Sequence, residues 1–284
     1  TSTLFRNESS GEMHGLTRVR QFTLSDAHIM CTPDQVEDEF KRILDLILYV
    51  EDCLGIRDEI TYRFSKWDPK KKSKYINNPK GWNDTQALRK KILDDIGLDY
   101  VEADGEAAFY GPKLDLQASN VWGKEDTIIT IQIDFGLAER FDMTYVAEDG
   151  SKKRPMIIHR SSIGSYERTL AMLIEKYAGA FPLWIAPVQV KVMSLTDRTA
   201  GKAKELADSL KKCGVRAEAD VRNEKIGFKI REAQLEKVPY MLVIGDKEAE
   251  SGTVAVRSRG GDEGVMALDD FIARVNEEVR TKKN

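Results

Sequence analysis

The chain has 284 residues, 41% apolar and 32% charged, with a formal net charge of −3. That length leaves room for two domains, the near-neutral balance argues against a protein that coats nucleic acid without specificity, and no apolar run approaches a membrane span. No stretch reads as a secretory signal, and three scattered cysteines, Cys31, Cys53 and Cys213, argue against a disulfide framework and for a reducing, cytoplasmic setting.

The first residue is Thr1 rather than Met, so an upstream start is expected. Residues 5–31, FRNESSGEMHGLTRVRQFTLSDAHIMC, concentrate Arg6, Glu8, Arg18, Arg20, Phe22 and the Asp26-Ala27-His28 triplet around few apolar residues, which suits a site for a phosphorylated ligand better than a core. Thr32 and Pro33 then read as a helix start. Phe40, Ile43, Leu44, Ile47 and Leu48 recur at helical spacing, and Gly55 closes the helix. Residues 59–67 alternate like a strand, 68–86 read as a polar, lysine-rich connection, and 85–98 as a second helix. Residues 100–119 read as strand, turn, the Phe-Tyr-Gly-Pro-Lys segment, and strand.

The β-branched run from Thr127 predicts a buried central strand. It carries Gln132 and Asp134 on one face and Ile131 and Ile133 on the other, so the polar pair either lines a cavity or is bonded within the core. Residues 154–179 run from a strand ending at His159 and Arg160 through a glycine turn into a helix, which is expected to bury Leu170, Leu173, Ile174 and Tyr177. Arg168 lies in the first turns of that helix, where the dipole favours acids, so an anionic ligand is the better reason for it. Pro182 and Pro187 mark a boundary, with domains expected over 1–183 and 184–284. The second domain alternates strand and helix up to a closing helix near the end, predicting a three-layer α/β unit with a mixed sheet.

Arginine offers a planar, permanently charged fork for phosphate oxygens; a glutamate suits an exocyclic amine, and an aromatic ring stacks a base. Arg6, Glu8, Arg18, Phe22 and Arg168 together therefore suggest an adenine-nucleotide site, with a surface ion-pair network as the alternative. There is no GxxxxGK[ST] segment and no GxGxxG opening a strand–helix unit. His28 and His159 form a possible metal pair, open to the alternative of buried, hydrogen-bonded histidines. Cys31, three residues from His28 on a strand, falls on the opposite face and is not expected to be a ligand.

These segments resemble the class II aminoacyl-tRNA synthetases, and in detail the threonyl-tRNA synthetase family. RNESSGEMHGLTRVRQF is similar to motif 2 and IGSYERTLAMLIE to motif 3; DAHIMC, AFYGPK, IQIDF and MIIHR match family segments between them, and DVRNEKIGFKIREAQLEKVPYMLVIGDKEAESGTVAVRSR resembles the anticodon-binding domain. The resemblance implies an α+β chain: a class II antiparallel sheet with flanking helices, then a smaller α/β anticodon-binding domain. It implies a threonine–tRNA ligase that forms threonyl-adenylate and then threonyl-tRNA(Thr), with Mg2+, and a homodimer in the full-length protein. Another class IIa synthetase, or a non-catalytic synthetase-like tRNA sensor, is the alternative.

By residue, the resemblance assigns ATP to Arg6, Glu8, Arg18, Phe22 and Arg168, and catalytic roles to Arg6, Arg168 and Lys113. It assigns threonine to Asp26, Tyr110 and Gln132, zinc to His28 and His159, and anticodon bases to Asn223, Glu248 and Arg257. The family's third zinc ligand is an upstream cysteine, and motif 1 also lies upstream of the matched segments. Two positions depart from the family: Thr127 stands where many relatives carry a pocket glutamine, and Leu24 replaces a polar residue common there.

Overall fold

The computed structural model describes residues 1–71 and 73–283; Lys72, in the lysine-rich connection, and Asn284 lie outside the described residues. The chain divides into two compact units, Thr1–Met172 and Leu173–Asn284.

The first unit runs through β1 (Ser2–Phe5), β2 (Gln21–Cys31), α1 (Val36–Leu54), β3 (Ile60–Lys66), α2 (Pro79–Asp95), β4 (Tyr100–Asp104), β5 (Lys113–Ser119) and β6 (Glu125–Asp134). It continues with α3 (Leu137–Arg140), the short pair β7 (Tyr145–Val146) and β8 (Lys152–Lys153), β9 (Met156–Ser165) and the first part of α4 (Tyr166–Tyr177), whose residues from Leu173 on belong to the second unit. Seven strands form one sheet in the order β1-β2-β9-β6-β5-β3-β4. Every neighbouring pair is antiparallel except β3 and β4.

Before α1, the Thr32 N–H donates to Gln35 Oε1 at 3.0 Å, and at its end Gly55 takes a left-handed φ of 67°. Helix α2 begins six residues earlier than the sequence pattern suggests. Asn78 caps it by accepting the Gly81 N–H at 2.9 Å, and Pro79 occupies the first turn, where its missing N–H costs nothing. The stretch PKGWND reads as a polar loop by composition, yet Trp82 is fully buried and stacks on Trp67 with ring centroids 5.4 Å apart. Burial of one large ring outweighs the polar residues around it.

The strands separate two faces. Ile129, Ile131 and Ile133 of β6, Leu114 and Leu116 of β5 and Ile158 of β9 are buried on one of them. Helix α1 packs along β9, and Arg89 of α2 lies over the Phe40 ring of α1 while donating to the Ile131 carbonyl at 3.0 Å. Thr130 and Gln132 turn to the other face. Helix α4 corrects one expectation. Its buried row holds Thr169 and Leu173, while Leu170 and Ile174 are 45% and 42% exposed and share a line with the exposed Tyr166. Apolar spacing alone located the helix but not which of two adjacent rows faces inward.

The second unit contains β10 (Val190–Ser194), α5 (Ala200–Lys212), β11 (Ala217–Asp220), α6 (Ile226–Leu235), β12 (Tyr240–Ile244), α7 (Asp246–Ser251), β13 (Thr253–Ser258), β14 (Gly261–Ala267) and α8 (Leu268–Thr281). Its sheet order is β11-β10-β12-β13-β14, with β11, β10 and β12 parallel and the last two pairings antiparallel. Val190, Val192, Leu242 and Val256 pack with Leu206 and Leu210 of α5 and Phe271 of α8. Met193 and Met241 pack on the other face with Ala233 of α6. Helices thus cover both faces of a mixed sheet. The short α7 and the edge strand β14 are the elements the sequence pattern did not suggest.

Candidate active site

The β1–β2 hairpin pairs Phe5 with Gln21, which sets Arg6 at its mouth and brings Arg18 and Arg20 back on the return. The Arg6 N–H donates to the Arg20 carbonyl at 2.9 Å. The Arg6 guanidinium lies over the Phe22 ring at 5.1 Å from its centroid, a cation–π contact. Arg20 turns to the hairpin's own backbone, donating to the Glu8 carbonyl at 3.0 Å.

Arg168 reaches the same place from α4. Its guanidinium donates to the Thr127 carbonyl at 2.6 Å and to the Thr17 carbonyl at 3.1 Å. Burial holds its pKa below the usual arginine value; Asp126 opposes that shift, and the charges of Arg6 and Arg18 add to it. Among the described residues, none of Arg6, Arg18 and Arg168 meets a carboxylate within 4.0 Å. Three positive charges face one space without an ion pair to the acids near them, which an ion-pair network does not explain.

That space is a cavity of about 370 Å³, lined on one side by Arg6, Glu8, Arg18, Phe22 and Arg168 and on the other by Asp26, Tyr110, Gln132 and His159. Leu24 and Thr127, the two family departures, also line it. Strand register explains the second wall. His28 pairs with His159, His159 with Gln132, and Gln132 with Lys113 across β2, β9, β6 and β5. Residues directly opposite in a sheet share a face, so the four form one row.

The His28 and His159 rings meet edge-on with centroids 4.4 Å apart. The Tyr110 ring lies 5.0 Å from that of His159, and its hydroxyl donates to Gln132 Oε1. Burial pushes the Tyr110 phenol up to about 12, with the charges of Asp134 and Asp26 adding to it, so the hydroxyl stays a donor at neutral pH.

His28 is exposed, and it and Lys113 stand at the ends of the row outside the cavity lining. Lys113 Nζ pairs with Asp115 at 2.7 Å, and Asp115 also accepts from Ser65 at 2.7 Å and Thr130 at 3.1 Å.

Two glycines let backbones approach here. A Cβ on Gly111, within Phe-Tyr-Gly-Pro-Lys, would stand 1.8 Å from the Ile133 carbonyl oxygen. Gly164, at φ +73°, would place one 2.0 Å from the Ile128 carbonyl oxygen.

A catalytic zinc site has three protein ligands and an open position. Among the described residues, no group of three His, Cys, Asp or Glu side chains could hold an ion. His28 and His159 fit as two of the ligands, close and on one face, with the third to come from elsewhere. Cys31 is buried, its thiol pushed up to about 11 by burial, and it stays off this face as its spacing suggests. Asp134, whose Oδ2 lies 3.0 Å from His159 Nε2, was not singled out as a site residue; the polar alternation of β6 was its only sequence signal.

In the second unit, Asn223 follows the carboxyl end of β11 and Glu248 lies in α7, after the carboxyl end of β12. Buried Lys229 ties this edge together, donating to the carbonyls of Ser194 at 2.9 Å and Asp220 at 3.3 Å. Glu248 folds back to accept the Gly245 N–H at 2.9 Å. Arg257 lies opposite Met241, nearer the other end of β12, and pairs with Asp262 at 2.7 Å.

Family models for the class II tRNA synthetase core domain (G, H, P, S and T) and the anticodon binding domain match residues 1–177 and 185–278. The chain belongs to the class II tRNA synthetases, and within them to the threonyl-tRNA synthetase family. It is 65% identical to a threonine–tRNA ligase of Clostridium perfringens and 63% identical to one of Clostridium botulinum, covering 100% of this chain and 44% of each relative. The chain thus spans under half the length of the curated relatives it matches. A crystal structure described as the RNA binding domain of threonyl-tRNA synthetase from Cryptosporidium parvum superposes with a TM-score of 0.91 at 35% identity, over 98% of this chain and 69% of that one. A putative threonyl-tRNA synthetase of Aeropyrum pernix gives 0.80 at 28% identity, over 99% and 68%.

Proposed function

We propose that the chain is the catalytic core (1–183) and anticodon-binding domain (184–284) of a threonine–tRNA ligase, acting on threonine, ATP and tRNA(Thr). The observation that carries this reading is the cavity with three unpaired arginines on one wall and Asp26, Tyr110 and Gln132 on the other. ATP lies against Arg6, Glu8, Arg18, Phe22 and Arg168. Phe22 stacks the adenine, Glu8 accepts from its amine, and Arg18 and Arg168 hold the distal phosphates. Arg6 neutralises the α-phosphate and the threonine carboxylate as they meet. Charge neutralisation at that phosphate is the main catalytic demand, so Arg6 and Arg168 are the principal catalytic groups, with Mg2+ on the phosphates and Lys113 in support.

Asp26, Tyr110 and Gln132 surround the threonine amine and hydroxyl. An apolar pocket separates threonine from isosteric valine poorly. A zinc ion held by His28, His159 and an upstream cysteine would bind the threonine amine and hydroxyl together, and valine lacks the hydroxyl. Asn223, Glu248 and Arg257 read anticodon bases. The full-length protein is a cytoplasmic homodimer; no helix among the described residues is long and apolar enough to cross a membrane.

Pyrophosphate exchange with each amino acid in turn tests this. Threonine should drive exchange, with valine at least 100-fold weaker. Exchange that does not depend on threonine and is driven by an amino acid lacking the side-chain hydroxyl would overturn the reading. Calorimetric ATP binding tests the arginines: Arg168→Ala should weaken it about 10-fold or more, the loss of a charge-assisted contact. Unchanged binding would return the cluster to a structural role.

A further inference from the structure

We infer that Asp134 is a positioning residue that fixes His159 as the Nε2–H tautomer and leaves Nδ1 as its free lone pair. The metal consequence rests on the zinc reading above; the tautomer does not.

The argument starts from register. Gln132 stands opposite His159, so Asp134, two residues on and on the same face, is the diagonal neighbour of the ring. Asp134 is fully buried. Its Oδ2 lies 3.0 Å from His159 Nε2, and its Oδ1 accepts the N–H groups of Gly136 at 2.8 Å and Leu137 at 2.9 Å. Both oxygens are therefore committed.

A carboxylate offers only acceptors, so the imidazole nitrogen facing it carries the hydrogen. The His28 and Tyr110 rings pack on the same imidazole, and a ring flip would leave a buried Oδ2 without a donor. His28 is exposed and has no carboxylate partner among the described residues, so of the two histidines only His159 arrives with its tautomer set. Carboxylates behind metal-binding histidines act in this way.

Asp134→Asn separates this from a merely structural role. The asparagine oxygen still accepts from Gly136 and Leu137, but its amide now donates toward His159 and requires Nε2 as an acceptor. In the metal-free full chain, above the usual histidine titration range, a long-range 1H–15N spectrum should show native His159 as Nε2–H and the variant as Nδ1–H. The chain has three histidines, so single substitutions of His14 and His28 assign the signal. In the full-length protein, which supplies the upstream cysteine, zinc affinity measured by competition with a chromogenic chelator should fall 10- to 100-fold in the variant.

Native His159 found as Nδ1–H would overturn the inference without any variant, and so would an unchanged tautomer in a folded Asp134→Asn chain. A tautomer switch in the Asp134→Asn variant, together with no zinc uptake by a full-length protein that carries the upstream cysteine, would sustain the positioning role and remove the metal reading instead.

Discussion

Glu51→Gln should abolish a pH dependence of stability that the native chain carries. Glu51 lies on α1 at 0% exposure. Its Oε2 accepts the Tyr62 hydroxyl at 3.1 Å, and its Oε1 has no hydrogen-bond partner among the described residues. Burial pushes its pKa from 4.5 up to about 7, against the opposing pull of the Tyr62 hydrogen bond and the Arg57 charge. Between those two values the folded chain keeps a proton that the unfolded chain has released. Stability therefore falls as pH rises through that window and levels off above it. At about 1.4 kcal/mol per unit the loss is about 3 kcal/mol. Glutamine has the same shape and does not titrate. Urea unfolding of the native chain and the variant, followed by the fluorescence of Trp67 and Trp82, should show the variant's advantage growing by about 3 kcal/mol from pH ~4.5 to above ~7. A difference that stays constant with pH would refute the assignment of that buried carboxyl.

Gly111→Ala should cost roughly 2–3 kcal/mol in the same assay, because its Cβ would meet the Ile133 carbonyl oxygen and force strand β6 or the Tyr110 segment aside. It should also weaken threonine binding, since Tyr110 and Gln132 lie on the two displaced segments; stability and affinity that both match the native chain would remove the close approach as the reason for glycine. Asn78→Ala should lower stability by about 1 kcal/mol through loss of the α2 cap, read as a lower thermal midpoint.

The strands and helices were legible wherever one residue type dominated a face. The β-branched run gave β6, and its alternation divided a buried isoleucine face from the cavity face carrying Gln132. The start of α2 was not legible, because Pro79 to Asp84 are polar by composition and only tertiary burial of Trp82 makes them helix. The inward row of α4 was misread because two adjacent rows of that helix both carry leucine or isoleucine, and spacing cannot rank them. Strand β14 escaped because its central residues are exposed and glycine interrupts it.

The site was legible in its parts but not in its assembly. Arg6 and Arg168 are 162 positions apart in sequence, and their convergence depends on two backbone carbonyls, those of Thr17 and Thr127, that no residue pattern encodes. What the fold adds is the absence of compensation. A charge cluster in a sequence is ambiguous because acids lie near every arginine; here Glu8 and Asp126 are near enough to influence Arg168 yet form no ion pair with it. The guanidinium is held instead by neutral carbonyls, which orient it without cancelling its charge. That arrangement keeps the field available to an incoming anion, and it is why the same three arginines are ambiguous in the sequence, whereas in the fold they line one cavity without an ion pair.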